Sequence, residues 1–431
     1  MNVKNIAIIG TGYVGLSTGT CLAEVGHKVI CADKDVSVIN SLNKGKCHIY
    51  EFGLSEMIQK NLNKNLEFTA DMAKAVRNSE IIMIAVGTPP NPDGSADLSC
   101  IDEAAKTIAD NINSYKLIVN KSTVPVETGE SVEKLIKANV KKDVVFDIAS
   151  VPEFLREGMA VHDTFNPDRI VIGVKTKRAE KILREVYEPF KAEIFVTDIK
   201  SAELIKHAAN SFLAMKISYI NALSLICEKV GADVEDVADG LGMDKRIGRS
   251  FLNAGIGFGG FCFPKDLDAF LWISRRHGYD FKMLEAVKET NLYMRKHFIN
   301  KIENVLGGLK GRQIAVLGLA FKPKTDDMRH APSIEIITSL LLKGAQITAF
   351  DPQAMEKAKK RINNISFAED AYEAVDGKDC IVILTEWDEF KKLDLKRVKK
   401  ILKKPVIVDG RNIFDTADMR EKGFEYHSMG R

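Results

Sequence analysis

A cysteine within a glycine-rich segment is the strongest sign of chemistry in this sequence. Residues 257–266 read GFGGFCFPKD, which places Cys262 just ahead of Pro264 and Lys265. Proline is favoured in the first turn of a helix, and a thiol at a helix N-terminus near a cation is favoured as the nucleophilic thiolate. The alternative is a buried cysteine that acts as a small apolar side chain. The segment therefore predicts either a covalent nucleophile or a core residue.

A second pair of polar side chains lies in a stretch with helical periodicity. Apolar residues recur every three or four positions after Asp198, which predicts a long helix. Lys206 and Asn210 are four residues apart and therefore share one face of that helix. The lysine either extends along the apolar surface to solvent or, with Asn210 in a cleft, stabilises a developing oxyanion.

The N-terminal segment has the pattern of a dinucleotide site. The apolar run 5–9 leads into GTGYVG, a predicted helix ends near Gly26, and the run 28–32 ends at Asp33. Strand, glycines, helix, strand and acidic residue together form a βαβ unit whose helix N-terminus binds a pyrophosphate. Asp33 favours the ribose hydroxyls of NAD, although Lys34 next to it argues for NADP.

Polar residues also follow three other predicted strands. Thr88 follows the run 81–86, Thr123 follows 116–120, and Glu153 and Glu157 follow 144–150. Ligands of open parallel sheets bind beyond the carboxyl ends of the strands, so these side chains are expected to face one crevice. The alternative for each residue is ordinary turn chemistry at a strand end.

The C-terminal part again contains predicted strands that are followed by polar residues. Residues 309–431 predict a second α/β domain, which has no GxGxxG and hence no second dinucleotide. Lys322, Arg329 and Arg411 either hold the phosphates of another ligand or form surface ion pairs. The predicted architecture is α/β, with two doubly wound, Rossmann-like domains (1–197 and 309–431) joined by a long central helical region (198–308).

Composition excludes several classes of function. The chain of 431 residues has 62 Lys plus Arg against 59 Asp plus Glu, and this near balance gives no electrostatic case for nucleic acid. No apolar run is long enough to cross a membrane. Seven scattered cysteines without a CxxC pair argue against a disulfide framework and a metal site, and they favour the reducing cytoplasm.

Taken together, the chain resembles the nucleotide-sugar 6-dehydrogenases of the UDP-glucose/GDP-mannose dehydrogenase family. The resemblance covers nearly the whole chain, and its long motifs occur in the order of the family. They are GTGYVG (10–15), VGTPP (86–90), STVP (122–125), PEFLREG (152–158), ELIKHAANSF (203–212), DKRIGRSFLNAGIGFGGFCFPKD (244–266), GLAFKPKTDDMR (318–329) and DGRNIFD (409–415).

This resemblance implies a four-electron oxidation. The C6 hydroxyl of a UDP-sugar becomes a carboxylate at the expense of two NAD, and Cys262 retains the aldehyde as a thiohemiacetal and then as a thioester. UDP-glucose is the expected sugar, with GDP-mannose and UDP-N-acetylmannosamine as alternatives. A two-electron 3-hydroxyacid dehydrogenase and an NAD-binding sensor or scaffold are the further alternatives.

The resemblance also assigns roles to other residues. Lys206 and Asn210 match the residues that stabilise the negative oxygen, Thr123 and Asp266 match the pair that orients a water, and Glu153 matches the general base. The implied cofactor contacts are Gly10, Gly12, Tyr13, Val14, Gly15, Asp33, Thr88, Pro89, Thr123, Glu157, Lys265 and Arg329. The implied substrate contacts are Glu153, Phe154, Leu155, Glu157, Lys206, Asn210, Arg246, Phe251, Leu252, Asn253, Gly255, Gly259, Lys322 and Arg411.

Arg246 matches an arginine that reaches the substrate across a dimer interface, so a homodimer or larger homo-oligomer is expected. Two positions depart from the family pattern. Phe261 stands where many members have serine before the cysteine, and Val38 stands where a basic residue often follows the ribose acid.

Overall fold

The computed structural model describes residues 2–140 and 144–431 of the chain. These residues form two compact units. The first unit holds the residues up to Ala209 together with Asp268–Tyr279, and the second holds Asn210–Leu267 together with Asp280–Arg431. Each unit is built around a sheet of its own.

The sheet of the first unit has eight strands. They are β1 (Asn5–Ile9), β2 (Lys28–Ala32), β3 (Leu66–Thr69), β4 (Ile81–Ile84), β5 (Lys116–Asn120), β6 (Phe146–Ser150), β7 (Ile170–Val174) and β8 (Ile194–Thr197). Their order is β3-β2-β1-β4-β5-β6-β7-β8. All neighbours are parallel except β6 and β7, which are antiparallel.

Eight helices connect these strands. They are α1 (Tyr13–Glu24), α2 (Val36–Leu42), α3 (Leu54–Asn61), α4 (Met72–Asn78), α5 (Ser99–Asn111), α6 (Thr128–Asn139), α7 (Ala160–Phe165) and α8 (Lys177–Tyr187), which is followed by a 3-10 turn (Glu188–Phe190). Strand β1 is an unbroken apolar run in the sequence because both of its faces are buried. Ile6 and Ile8 pack in one apolar layer with Leu16 of α1, and Ala7 and Ile9 pack in the layer on the other face.

The second unit has a six-stranded, all-parallel sheet and several helices. Helices α9 (Ile199–Val230) and α11 (Cys262–Arg276) have residues in both units, whereas α10 (Val234–Gly242) and α12 (Lys282–Leu306) belong to the second. The strands are β9 (Gln313–Leu317), β10 (Gln346–Phe350), β11 (Ser366–Phe367), β12 (Cys380–Ile383), β13 (Val406–Asp409) and β14 (Glu425–His427), in the order β11-β10-β9-β12-β13-β14.

The remaining helices of this unit are α13 (Pro332–Leu342), α14 (Met355–Lys359), α15 (Ala371–Val375), α16 (Asp388–Lys391), α17 (Leu395–Ile401) and α18 (Thr416–Glu421). Helix α12 ends where the sequence has paired glycines. Gly307 adopts a left-handed φ of 62° and closes the helix with a bond to the Asn304 carbonyl. This conformation costs glycine little, which explains the abrupt stop.

The predicted fold class is confirmed: two doubly wound α/β sheets accompany a long central helix. Strands β1, β2 and β5 have the predicted bounds, and β4 ends two residues before the predicted Val86. The antiparallel strand β7 and the edge strands β3 and β14 were not predicted from the sequence. Within the described parts of the chain, no helix combines the length and apolar character needed to cross a bilayer.

Candidate active site

The glycines after β1 shape the N-terminus of α1. Gly10 has a φ of 101°, and a Cβ there would lie 2.6 Å from the Ala85 carbonyl oxygen. A Cβ at Gly15 would lie 2.0 Å from the Gly10 oxygen, so the helix packs tightly on the strand. Gly12 faces open space, and no side chain caps the helix there. The open, uncapped N-terminus fits the pyrophosphate of a dinucleotide.

Asp33 lies at the carboxyl end of β2 and is fixed by the glycine loop. The backbone N–H and the hydroxyl of Thr11 donate to Asp33 Oδ2 over 2.7 and 2.8 Å. The N–H of Asp35 donates to Oδ1 over 3.0 Å. The carboxylate is therefore held at the edge of the sheet where an adenosine ribose would bind.

A cleft runs along this edge and is lined, among others, by Gly10, Gly12, Asp33, Lys34 and Glu103. Lys34 Nζ pairs with Glu103 at 3.0 Å. This pair is exposed to solvent and therefore weak, so the preference for NAD rests on Asp33. The geometry agrees with the preference for NAD that Asp33 predicts.

The ends of β4 and β5 are joined by hydroxyl groups. The Thr88 hydroxyl donates to the Thr123 carbonyl oxygen over 2.9 Å. The Ser122 hydroxyl donates to the Val86 carbonyl oxygen over 2.7 Å. Thr88 is buried and Pro89 beside it is exposed. Two of the polar strand ends predicted to meet are thus in direct contact.

Glu153 and Lys206 form a buried ion pair in the first unit. Lys206 Nζ lies 3.1 Å from Glu153 Oε1, and both side chains are less than a tenth exposed. The other oxygen of Glu153 accepts the N–H of Leu155. The ring of Phe154 lies 5.4 Å from Lys206 Nζ and 3.9 Å from Arg169 Cζ. Lys206 therefore does not extend to solvent, and its alternative role at a developing oxyanion stays a prediction.

A third charge, Lys121, belongs to the same cluster and was missed in the sequence. It follows β5 directly, is buried, and places Nζ 5.8 Å from the ring centre of Tyr187. Burial is the main cause that lowers the pKa of Lys121; Glu153 opposes the shift, Lys206 adds to it, and the pKa falls to about 8. Its position immediately before Ser122, at a polar strand end, is the signal that identifies it.

Helix α9 fastens the loop that follows Thr123. The carboxylate of Glu203 accepts the N–H groups of Glu127 and Gly129 at the start of α6, both over 2.8 Å. A ring nitrogen of His207 lies 2.9 Å from the Val124 carbonyl oxygen. Burial raises the pKa of Glu203 to about 7 even though these two donors favour the ionised form. Neither residue was predicted.

The loop that carries Glu157 is anchored by another buried acid. The N–H groups of Gly158 and Ala160 donate to the two oxygens of Glu51 over 2.8 and 2.7 Å. This carboxylate therefore stabilises the N-terminus of α7. Glu157 itself is half-buried just before the anchored glycine.

In the second unit, Cys262 is the first residue of α11, as the sequence predicts. Asp266, one turn further on, accepts a hydrogen bond from Asn210 Nδ2 over 2.5 Å. Lys265 Nζ lies 2.7 Å from the other oxygen of Asp266. Asn210, Lys265 and Asp266 are buried, whereas Cys262 is partly exposed. A thiol at a helix N-terminus thus shares a helical turn with a fixed carboxylate.

The glycine-rich loop before Cys262 is held by side chains from outside the motif. Asn291 of α12 accepts the N–H of Phe258 over 2.8 Å and donates to the carbonyl of the same residue over 3.1 Å. Arg295 and Arg411 donate to the carbonyls of Phe258 and Gly257, each over 3.0 Å. Gly257 has a φ of 90°, and a Cβ would lie 2.5 Å from Asn291 Oδ1. The sequence did not reveal the roles of Asn291 and Arg295.

The predicted phosphate-binding cations follow the strands of the second sheet. Arg411 is held by the Leu384 carbonyl at 2.9 Å and by Glu386 at 3.4 Å. Arg329 pairs with Asp327 through Nη2 at 2.7 Å. Arg411 is not a simple surface ion pair, because it also fixes the loop before Cys262.

The other predicted substrate residues surround this loop. Phe251 adopts a left-handed φ of 66°, Leu252 is buried, and Asn253 accepts a bond from Arg249 over 2.6 Å. Arg246 has a side chain that is 90% exposed, and it pairs with nearby Asp244 in its own loop. A role for Arg246 across a subunit interface stays a prediction.

Two glycines in the substrate set are required by close packing. The N–H of Gly255 donates to Asn221 Oδ1 over 2.8 Å, and a Cβ at this position would lie 2.8 Å from the Gly410 oxygen. A Cβ at Gly259 would lie 2.4 Å from the His330 oxygen. Lys322 Nζ lies 5.5 Å from the ring centre of Phe321. The loop therefore passes close to the backbone of the second sheet's loops.

All seven cysteines carry free thiols. In the part of the chain that the structure describes, no group of three or more His, Cys, Asp or Glu residues could hold a metal ion.

Comparison with known proteins matches the whole arrangement to one family. Three models of the UDP-glucose/GDP-mannose dehydrogenase family match the chain: the NAD binding domain over residues 4–191, the central domain over 200–293 and the UDP binding domain over 315–416. The UDP-glucose 6-dehydrogenase TuaD of Bacillus subtilis (strain 168) is 52% identical over 431 residues, which cover all of this chain and 94% of that protein.

Solved structures agree in fold. A UDP-glucose dehydrogenase from Pyrobaculum islandicum superimposes with a TM-score of 0.92 at 39% identity, covering 99% of this chain and 97% of that one. A UDP-D-ManNAc dehydrogenase from Pyrococcus horikoshii superimposes with a TM-score of 0.88 at 27% identity, covering 99% of both chains.

Proposed function

The chain belongs to the UDP-glucose/GDP-mannose dehydrogenase family, and from this premise we propose that it is an NAD-dependent UDP-glucose 6-dehydrogenase. It oxidises the C6 hydroxyl of UDP-glucose to the carboxylate of UDP-glucuronate in two hydride transfers. The observation that carries the proposal is the partly exposed Cys262 at the start of α11, one turn from a buried carboxylate. A two-electron alcohol oxidation needs no such nucleophile.

The residues of the first unit fit NAD. Gly10, Gly12 and Gly15 leave the start of α1 open for the pyrophosphate, Asp33 accepts from the ribose hydroxyls, and Thr88 stands at the next strand end. Tyr13, Val14, Pro89, Thr123, Glu157, Lys265 and Arg329 complete the proposed cofactor set. When bound, the nicotinamide supplies the hydride acceptor.

We propose that Lys206 and Asn210 stabilise the negative oxygen at C6 and that Glu153 accepts a proton. The Cys262 thiolate forms a C–S bond to the aldehyde carbon and gives a thiohemiacetal. Loss of hydride from this carbon leaves a thioester. Water, oriented by Thr123 and Asp266, cleaves the C–S bond to give the carboxylate and regenerate the thiol. The aldehyde itself forms when C6 loses the first hydride and its hydroxyl proton passes to Glu153. Overall, one water and two hydride acceptors are consumed, and three protons are released with the carboxylate.

We propose that the uridine diphosphate is bound by the C-terminal domain, with Lys322 and Arg411 facing its phosphates. The proposed contacts to the sugar nucleotide also include Phe154, Leu155, Phe251, Leu252, Asn253, Gly255 and Gly259. GDP-mannose and UDP-N-acetylmannosamine remain alternatives. Greater identity to UDP-glucose enzymes, at 52% and 39%, than to the UDP-D-ManNAc dehydrogenase, at 27%, supports UDP-glucose.

We propose a division into an NAD-binding domain (1–197), a central helical domain (198–308) and a UDP-sugar domain (309–431). The ranges of the three family models support it. A cytoplasmic setting is supported by the seven free thiols.

We also propose a homodimer formed through the outer face of α9. Phe212, Tyr219 and Ile226 recur every seven residues along this helix and are each more than half exposed. We call these three residues the apolar stripe. A row of exposed apolar side chains is more typical of a protein interface than of a solvated face. Arg246, exposed in the single subunit, is the residue proposed to reach the partner's substrate.

The test is product stoichiometry. Purified protein is supplied with NAD and each of UDP-glucose, GDP-mannose and UDP-N-acetylmannosamine, and NADH is measured against the acid formed. We expect two NADH for each UDP-glucuronate and poor turnover of the other two sugars. One NADH per sugar with free aldehyde would contradict the four-electron reaction.

A matched pair of cysteine variants tests the mechanism. Cys262→Ser should abolish steady-state acid production, whereas Cys47→Ser, which changes another partly exposed thiol, should retain it. Normal turnover by the Cys262→Ser protein would remove the thiol from the mechanism.

A further inference from the structure

Phe261, the aromatic residue before Cys262, lies against two cations. Its ring centre is 4.4 Å from Arg329 Cζ and 5.6 Å from Lys265 Nζ. Both distances are within the range in which an aromatic face attracts a cation. The three residues belong to the same unit of the structure.

Each of the two cations is also tied to a carboxylate. Arg329 donates through Nε to both oxygens of Asp327, over 3.0 and 2.8 Å. Lys265 pairs with Asp266 at 2.7 Å. One ring and two carboxylates thus orient two neighbouring cations. Preorganised cations lose less conformational entropy when they bind an anion.

The ring of Phe261 does not have the surroundings of a core residue. It is only partly buried, and none of the apolar clusters formed by the described residues includes it. The backbone before it is fixed, because Gly260 has a φ of 80° and a Cβ there would lie 2.7 Å from the Phe321 ring. Contact with the cations is therefore the best account of an aromatic residue at this position.

We propose that Phe261 is a positioning residue for the coenzyme. Its ring holds Arg329 and Lys265 in the orientation in which they bind the negatively charged dinucleotide. This inference rests on the proposed function, which assigns both cations to the NAD side of the reaction. Serine at position 261 would leave the two cations without the shared aromatic surface.

Three substitutions at position 261 distinguish a role of the aromatic ring from a role of side-chain size. Phe261→Leu keeps an apolar side chain and removes the π face, Phe261→Tyr keeps the face, and Phe261→Ser removes both. Two cation–π contacts of about 0.5–1 kcal/mol each predict NAD binding roughly 5- to 30-fold weaker in Phe261→Leu. Phe261→Tyr should bind NAD within about twofold of wild type. Phe195→Leu, at an exposed phenylalanine on β8, serves as the matched control and should bind NAD normally.

The readouts are the Kd for NAD by titration without sugar, KM for each substrate, and the thermal midpoint as a check of folding. We expect KM for NAD to rise with Kd, while KM for UDP-glucose stays within about twofold. Wild-type affinity in Phe261→Leu, or equal impairment in the Leu and Tyr variants, would overturn the inference. A rise confined to KM for UDP-glucose would also overturn it.

The titration remains decisive if the proposed sugar is wrong, because it needs NAD alone. Should Phe261→Ser fail to fold, the comparison of the leucine and tyrosine variants still decides the role of the ring.

Discussion

Two buried cations lie near one carboxylate in the first unit. Lys206 is paired with Glu153, and the charge of Lys121 interacts with both of these residues. Buried charges are tolerated when they are paired, and cations that are fixed in a dry site stabilise negative charge that develops there. The arrangement suits a reaction in which an oxyanion develops at the substrate.

Replacing Lys206 tests this directly. Lys206→Met should reduce kcat by about 10²–10³-fold, because a positioned donor to the oxyanion is lost. It should also destabilise the fold by about 3–5 kcal/mol, since Glu153 is left buried without its partner. The double variant Lys206→Met/Glu153→Gln should recover stability without activity. Steady-state kinetics and denaturant unfolding measure the two effects, and Lys229→Met at an exposed position of α9 is the control. Unchanged kcat in Lys206→Met would contradict the role.

Glu203 predicts a pH dependence of stability. Burial raises its pKa to about 7 from an ordinary value of 4.5. Between these pH values the native state keeps a proton that the unfolded state has lost, so this group makes stability fall as pH rises, and the effect levels off above the folded pKa. The total loss of unfolding free energy due to Glu203 is of the order of a few kcal/mol.

Thermal midpoints of wild type and Glu203→Gln between pH 4.5 and 8 check this expectation. The variant should lack the part of the decline due to Glu203, whereas Glu193→Gln, at an exposed acid, should follow wild type. Parallel curves for all three proteins would show that Glu203 stays ionised in the native state. The charged neighbours Glu130 and Lys200 act on Glu203 in opposite directions and are present in every variant.

At the scale of elements, α12 and α11 cooperate in placing the thiol. Helix α11 begins at Cys262, and α12 contributes Asn291, whose carboxamide pairs with both backbone groups of Phe258. The glycines of the loop before Cys262 have no side chains that could pack and hold the loop in place. Hydrogen bonds from α12 therefore supply the rigidity that the glycines lack.

Asn291→Ala should reduce kcat by about tenfold or more while changing KM for NAD little, because a loop displaced by even an ångström moves the thiol from its reactive position. It should also cost roughly 1–3 kcal/mol, because the N–H of Phe258 is left unsatisfied while its carbonyl keeps the bond from Arg295. Alkylation of Cys262 by iodoacetamide across pH gives a readout independent of turnover. Asn300→Ala, exposed on the same helix, is the control. If both variants keep wild-type kcat and alkylation rates, Asn291 does not position the cysteine.

At the scale of the whole molecule, we propose that the apolar stripe governs assembly. A twofold interface uses each substituted residue twice. Ile226→Asp should therefore weaken self-association by more than about 100-fold, since it removes roughly 1.5–3 kcal/mol of burial per subunit and buries a charge. Sedimentation at micromolar concentration should find dimers for wild type and monomers for the variant.

Leu342→Asp changes an apolar residue that is 84% exposed at the end of α13, and it should not alter assembly. A wild-type monomer, or an Ile226→Asp dimer of normal strength, would contradict the proposed interface. Because Arg246 is proposed to act across that interface, the monomeric variant should also lose activity.

Sequence alone determined the local structure and the family. The apolar run of β1, the glycines of the first turn and the helix start at Cys262 depend on neighbouring residues, so propensity and spacing were enough to predict them. The long motifs identified the family for the same reason, because each is contiguous.

Only the tertiary structure decided which distant side chains meet. Asn210 reaches Asp266 across 56 positions and Asn291 reaches Phe258 across 33, and no periodicity encodes such pairs. The burial of Lys121 and Lys206, and the contact of Phe261 with two cations, also follow from topology. Desolvation and charge pairing depend on everything packed around a group, and that environment exists only once the chain has folded.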